Sequence, residues 1–236
     1  MRLHTKLGRS LRVPMLLVGI GFAAFPAAGF AAPKDQTPIS DTRIKGNVEH
    51  KISGLGSDVS AVTVTVNDQV VTLSGTVPSV WLKQQAIERA RKTADVKSVV
   101  SDLTVMKEES DEALASQVAK ELRRYVFYTV YDDVNGRVRD GVVTLTGEVT
   151  APYKADEMAN LVAKVHGVSE VNNDIKALPV SISDDRLRVQ IARAIYRDSL
   201  FWNYAIQVNP PIHVVVEHGH VTLTGVVNSE VERRKA

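Results

Sequence analysis

The chain has 236 residues, 29 Lys plus Arg against 27 Asp plus Glu, and no cysteine, which excludes thiolate metal centres and lipid attachment through an N-terminal thiol. Its sequence pI of about 8.8 is misleading, because Arg2, Lys6, Arg9 and Arg12 lie in a segment that reads as removable, and 25 basic against 27 acidic residues remain without it, a net −2. Nucleic-acid backbones call for a clustered basic face and stacking aromatics, so no nucleic-acid partner is expected.

Those four basic residues precede an apolar stretch from Val13 to about Phe30. Gly29 and Ala31 then put small residues at the two specificity positions of a signal peptidase site, so residues 1–31 read as a cleaved export signal. Pro14 and Pro26 interrupt the stretch, which falls short of the roughly 20 residues a membrane anchor needs. The product is expected to be soluble and periplasmic, beginning with a linker over 32–40.

A first unit is predicted over 41–107. Ile44, Val48 and Ile52 recur in steps of four, placing them on one helix face, and Asp41 stands where its carboxylate can cap the first turn. Val62, Val64 and Val66 then alternate with threonines as a half-buried strand, Asn67 to Gln69 makes a tight turn, and Val71 to Val77 forms the partner strand. A second helix over Val80–Ala94 and a third strand over Val96–Val105 complete it. That strand, reached through a helix, would lie parallel to one hairpin strand. Gly54-Leu55-Gly56-Ser57 follows a helix and has Val59 at the third glycine position, so it is no dinucleotide loop.

A second unit over 111–178 repeats the order: Asp111 ahead of Leu114, Val118 and Leu122, a turn at Asp140-Gly141, a helix over Pro152–His166 and a strand over Val168–Leu178. A third, over 184–236, has Asp184 ahead of Leu187, Ile191 and Ile195, an insertion holding Pro210-Pro211, a strand from His213 to Glu217 and a turn at His218-Gly219. By alignment Ala236 falls on Ala86, so this copy stops early in its second helix and lacks a third strand. It is expected to lean on its neighbours, or to continue in a longer gene.

Each unit carries the same phrase: Val71-Thr72-Leu73-Ser74-Gly75, Val143-Thr144-Leu145-Thr146-Gly147 and Val221-Thr222-Leu223-Thr224-Gly225. Val and Leu face a core, while Gly75, Gly147 and Gly225 read either as bulge positions or as room for a backbone packed too close for a side chain, the following helix being the candidate. The fold class is therefore α+β, a tandem of helix-strand-strand-helix-strand modules, each a three-stranded mixed sheet covered by two helices, with the third incomplete.

This order, with the recurring phrase, the turn before it and the Gly167-Val168 pair ahead of the last strand, resembles the BON domain family from Asp41 to Ala236. Copy one departs in having Asp95 where Gly is favoured, which a left-handed turn tolerates in Asp. The resemblance implies a periplasmic, non-enzymatic protein that attaches to phospholipid membranes and serves envelope maintenance or osmotic protection, without cofactors.

For such attachment the candidate residues are Lys120, Arg123 and Arg124 on the first helix of unit two, Arg186, Arg193 and Arg197 on that of unit three, and the nearby Tyr128, Phe201 and Trp202. Basic residues beside amphipathic aromatics suit an anionic phospholipid surface. Core packing or cementing of neighbouring units is the structural alternative for those aromatics, and more so for Trp81 and Tyr153. His213, His218 and His220 could approach one metal, but nothing completes a ligand set and no metal is expected. An alternative class is a protein-interaction scaffold that pairs with an envelope protein through exposed strand edges, or a chaperone-like factor.

Overall fold

The computed structural model describes residues 40–107 and 110–236, so the predicted signal segment and nearly all of the first linker lie outside the described residues. Module one runs α1 (Asp41–Ser53), β1 (Val62–Asn67), β2 (Val70–Val77), α2 (Val80–Arg91) and β3 (Ser98–Val105). β2 is central, antiparallel to β1 and parallel to β3. The helix trio Ile44, Val48 and Ile52 meets Val71, Leu73 and Val77 of β2 and Leu82, Ala86 and Ala90 of α2 in one buried core. Asp95 takes the left-handed conformation with φ 66°, as the sequence predicts.

Module two repeats this with α3 (Asp111–Arg123), β4 (Asp133–Arg139), β5 (Val142–Val149), α4 (Pro152–Ala163) and β6 (Glu170–Ala177), again with the second strand central. Module three has α5 (Ile182–Arg197), the short α6 (Trp202–Ala205), β7 (Ile212–Glu217), β8 (His220–Gly225) and α7 (Glu230–Lys235), and its sheet has two strands. Val221 and Leu223 of β8 are exposed, although their counterparts in β2 and β5 are fully buried.

The modules dock on one another. The Val80 amide donates to Val168 O at 2.9 Å and the Gly167 amide to Pro78 O at 2.8 Å, joining modules one and two. Modules two and three meet where the Val214 amide of β7 donates to Val130 O at 2.7 Å, with Val130 and Tyr131 packed on the third core. An edge strand is thereby partly covered, which blunts its capacity for unwanted pairing.

The three helix-leading aspartates do something other than cap. Ser40, Ser110 and Ser181 occupy the N-cap positions, and the Ser110 and Ser181 hydroxyls accept the capping bonds. The Asp carboxylates reach instead across the module to the hairpin turn. Asp41 accepts from the Asp68 and Gln69 amides, Asp111 from Asp140 and Gly141, and Asp184 from His218 and Gly219, all at 2.7–3.2 Å. Both central residues of each turn are left-handed, with φ between 50° and 79°, so each carboxylate holds a type I′ turn whose backbone is otherwise costly for a non-glycine residue.

The amide of Asp140 chiefly, opposed by partial burial and reinforced by Gly141 and Lys107, holds the Asp111 carboxyl below the usual carboxylate range. A folded pKa below the unfolded value near 3.9 adds stability that is fully present above about pH 4 and is lost as pH falls through the folded pKa. Asp111→Ala is therefore expected to lower the thermal midpoint at neutral pH and to speed amide exchange at Asp140 and Gly141. The gap to the native chain should close below about pH 4; an unchanged gap there would assign the effect to helix capping or packing.

The recurring glycine is explained by a different neighbour from the one predicted. Gly75, Gly147 and Gly225 have φ of 118°, 120° and 125°. A Cβ there would stand about 2 Å from the carbonyl oxygen of Ala61, Asp133 or Pro211 respectively, the residue at the start of the paired strand and not the following helix. The glycine sits at the open end of each hairpin, paired in register with Val62, Val134 or Ile212, where the neighbouring strand's backbone comes too close for a side chain.

Candidate functional site

α3 buries Leu114, Val118 and Leu122, and this fixes which way its charges point: Lys120, Arg123 and Arg124 are all exposed. Arg124 makes a surface ion pair with Glu121 at 3.2 Å, a contact too solvated to hold it firmly. The three cations line an open cleft of about 650 Å³ together with Val126, Tyr128 and Val208. The Asn209 side chain donates to Arg123 O at 2.8 Å, tying the insertion of module three to the last turn of α3. Val126 and Val208 project beside this charge at 82% and 97% exposure.

On α5, Arg186, Arg193 and Arg197 are exposed. None of them has a carboxylate within 4.0 Å among the described residues, so their charge is uncompensated locally. These arginines do not line the α3 cleft; the structure presents two basic faces. Arg188, on the same helix, is inside: it is 3% exposed, its guanidinium pairs with Asp185, and it donates to Val216 O at 2.6 Å.

Two of the aromatic candidates need correction. Phe201 is 1% exposed and belongs to the third core with Tyr204, because the turn after α5 folds it beneath β7. It is unavailable to a lipid surface. Tyr128 is half-buried, its hydroxyl accepting from the Val134 amide at 3.4 Å and its ring 5.4 Å from His213, so it cements modules two and three. Burial pushes its phenol up to about 12. Trp202 alone of the three is open, at 63% exposure.

Trp81 is half-buried under Lys164, whose ammonium stands 5.2 Å from the ring centre. Tyr153, predicted to pack, is 49% exposed, edge-on to Phe127 at 6.2 Å. His213 lies opposite Thr224, whereas His220 lies opposite Glu217 at the other end of the hairpin, so the three histidines do not converge. Val126, Ile206 and Val208 were not anticipated as surface groups. A valine or isoleucine in a loop carries no periodic signal saying whether it points in or out.

The described residues contain no helix long and apolar enough to cross a membrane. In comparison with known proteins, the family model of the BON domain matches residues 40–107, 110–179 and 183–236. Osmotically-inducible protein Y of Escherichia coli (strain K12) is 32% identical over 122 residues, covering 49% of this chain and 61% of that protein, so the match spans less than two thirds of the relative's length. Two solved structures of CdsD, a structural protein of the type III secretion system of Chlamydia trachomatis, align over 79% and 80% of this chain and 85% and 81% of theirs. Each is 17% identical, with TM-scores of 0.24 and 0.22, values that carry no structural argument. Three matches, each falling on one hairpin flanked by helices and together spanning most of the sequence, establish that the chain belongs to the BON domain family.

Proposed function

We propose that the chain is an exported, periplasmic, non-enzymatic protein of osmotic-stress protection or envelope maintenance that attaches peripherally to anionic phospholipid surfaces. The observation that carries this is the pairing of exposed cations with projecting apolar side chains: Lys120, Arg123 and Arg124 beside Val126 and Val208, and Arg193 and Arg197 leading into Trp202. Each cation near an anionic leaflet contributes about 1 kcal/mol, so one face supplies about 3 kcal/mol and both about 6 kcal/mol, a reversible attachment. The kinship with osmotically-inducible protein Y supports the stress context.

Co-sedimentation of residues 32–236 with vesicles tests it. Vesicles rich in an anionic phospholipid are expected to carry the protein down at low salt and to release it as salt rises, because the charges lie at the surface. Arg193→Glu with Arg197→Glu should weaken the attachment by more than tenfold, and Trp202→Ser should do so more modestly at any salt. Equal sedimentation with zwitterionic vesicles would sink the electrostatic mechanism. A second reading, a protein-interaction scaffold, is favoured by one observation, the exposed Val221 and Leu223 on β8.

A further inference from the structure

The three modules differ at one place where the fold makes them equivalent, the gap between the first helix and the first strand. Val64, Gly136 and Val214 hold the same register position, each opposite the leucine of the recurring phrase. Four residues beyond the turn-holding aspartate stand Lys45, Ala115 and Arg188, and eight beyond it Glu49, Ala119 and Ala192. Module one fills the gap with buried Val64, and Lys45 and Glu49 form an exposed ion pair at 3.7 Å on the helix above it. Module three closes it with buried Val214 and with Arg188 laid against Val216 O.

Module two has Ala115, Ala119 and Gly136 instead, and there a cavity of about 220 Å³ opens between α3 and β4. Val118, Leu122, Val138 and Met158 supply most of its apolar wall, and Tyr128, Asn135 and Arg123 add polar groups to the lining. Gly136 is exposed, although Val64 and Val214 are buried, so the cavity reaches solvent over β4. Nothing in the backbone requires a glycine: φ is not left-handed and a Cβ would meet its nearest atom, on Leu145, at an ordinary 3.6 Å.

We infer that this cleft binds the hydrocarbon tail of a free single-chain anionic amphiphile of the fatty-acid class, its carboxylate held by Arg123. An apolar cavity of about 150 Å³ is enough to take up benzene, so the space suits several methylenes of a chain. It is smaller than the roughly 300 Å³ at which pockets begin to enclose whole drug-sized ligands, which fits a tail with its head outside. A guanidinium offers a carboxylate two parallel hydrogen bonds, and Lys120 and Arg124, which share the neighbouring cleft with Arg123, make the mouth cationic. The site needs no membrane surface.

Calorimetric titration of the chain with decanoate, kept below its micelle concentration, tests this. Saturable binding at one site is expected, with decanol bound several-fold more weakly. Gly136→Val, which copies modules one and three, should weaken decanoate by about tenfold or more through lost burial of a few methylenes. Ala119→Leu fills the same space from the helix and should do likewise, which guards against a folding defect in either variant. Both should keep their attachment to anionic vesicles, separating this site from the surface faces. Absence of saturable decanoate binding, native-like binding by both filled variants, or uptake of an extended peptide along β4 in place of decanoate overturns the inference.

Discussion

Gly147→Ala is expected to unfold module two or to bring its thermal midpoint down by about 15 °C or more. The added Cβ would stand 2.0 Å from Asp133 O and 3.0 Å from its carbonyl carbon, both backbone atoms of the paired strand. Neither can retreat without breaking the Val134–Gly147 register that starts the hairpin. The φ of 120° is a second and independent penalty. Backbone strain of about 1–3 kcal/mol and forced overpacking of about 1–3 kcal/mol add to roughly 2–6 kcal/mol. Since domains have only about 5–15 kcal/mol in hand, little stability is left.

The control lies on the neighbouring strand. Gly136→Ala adds the same methyl group where the nearest atoms are at 3.6–3.9 Å and φ is ordinary. It should be neutral or stabilise by about 0.5–1 kcal/mol, since a side chain suits a strand and restricts the unfolded chain. Chemical denaturation of the two variants measures the contrast. Equal midpoints would mean that the close approach of the paired strand does not require the recurring glycine.

That contrast also marks what the residues reveal in advance. The helix trios of the first two modules, the alternating strands and the parallel third strand were legible, because periods near 3.6 and 2 and a helical crossover leave few alternatives. The role of Asp41, Asp111 and Asp184 was not. Standing at a helix start they look like caps, and their true partners lie 27–35 residues away, beyond any local pattern.

Arg188 misleads in the same way. Spacing puts Leu187 and Ile191 inward, yet α5 fully buries Asp184, Arg188, Ala192 and Ile195 and leaves Leu187 and Ile191 half-covered. Its guanidinium finds a strand carbonyl that no helical wheel displays. The six candidate cations lie on exposed faces because the apolar stripes orient them. Phe201 was misplaced, since an aromatic in a loop is as compatible with the core as with the surface.

Asp132 and Lys154 carry the second large effect. Asp132 is wholly buried and Lys154 nearly so, and their charges meet at 2.7 Å. One carboxylate oxygen also accepts from the Thr129 amide and hydroxyl, and the other from the Thr150 amide and hydroxyl, all at 2.8–2.9 Å. Lys154 donates once more to Thr150 at 2.8 Å. The pair therefore bolts the loop before β4 to the start of α4. By the alignment its places are taken in module one by Ser60 and Leu82, an uncharged solution to the same junction.

Asp132→Ala strands a buried ammonium, and Lys154→Leu a buried carboxylate. Either is expected to cost about 3–5 kcal/mol. Asp132→Ser with Lys154→Leu, which copies module one, should recover most of that loss, because well-packed apolar groups replace buried ion pairs at little cost. Burial pushes the Asp132 carboxyl up, but the bonds from Lys154, Thr150 and Thr129 outweigh it and hold the group below the usual carboxylate range. With the folded pKa below an unfolded value near 3.9, its contribution is complete above about pH 4 and fades as pH falls through the folded pKa. The native chain should thus lose stability in acid more steeply than the double variant, and urea unfolding at pH 7 and pH 3 would show the two converging. If they stay equally far apart at both pH values, the buried pair does not set the acid limit of module two.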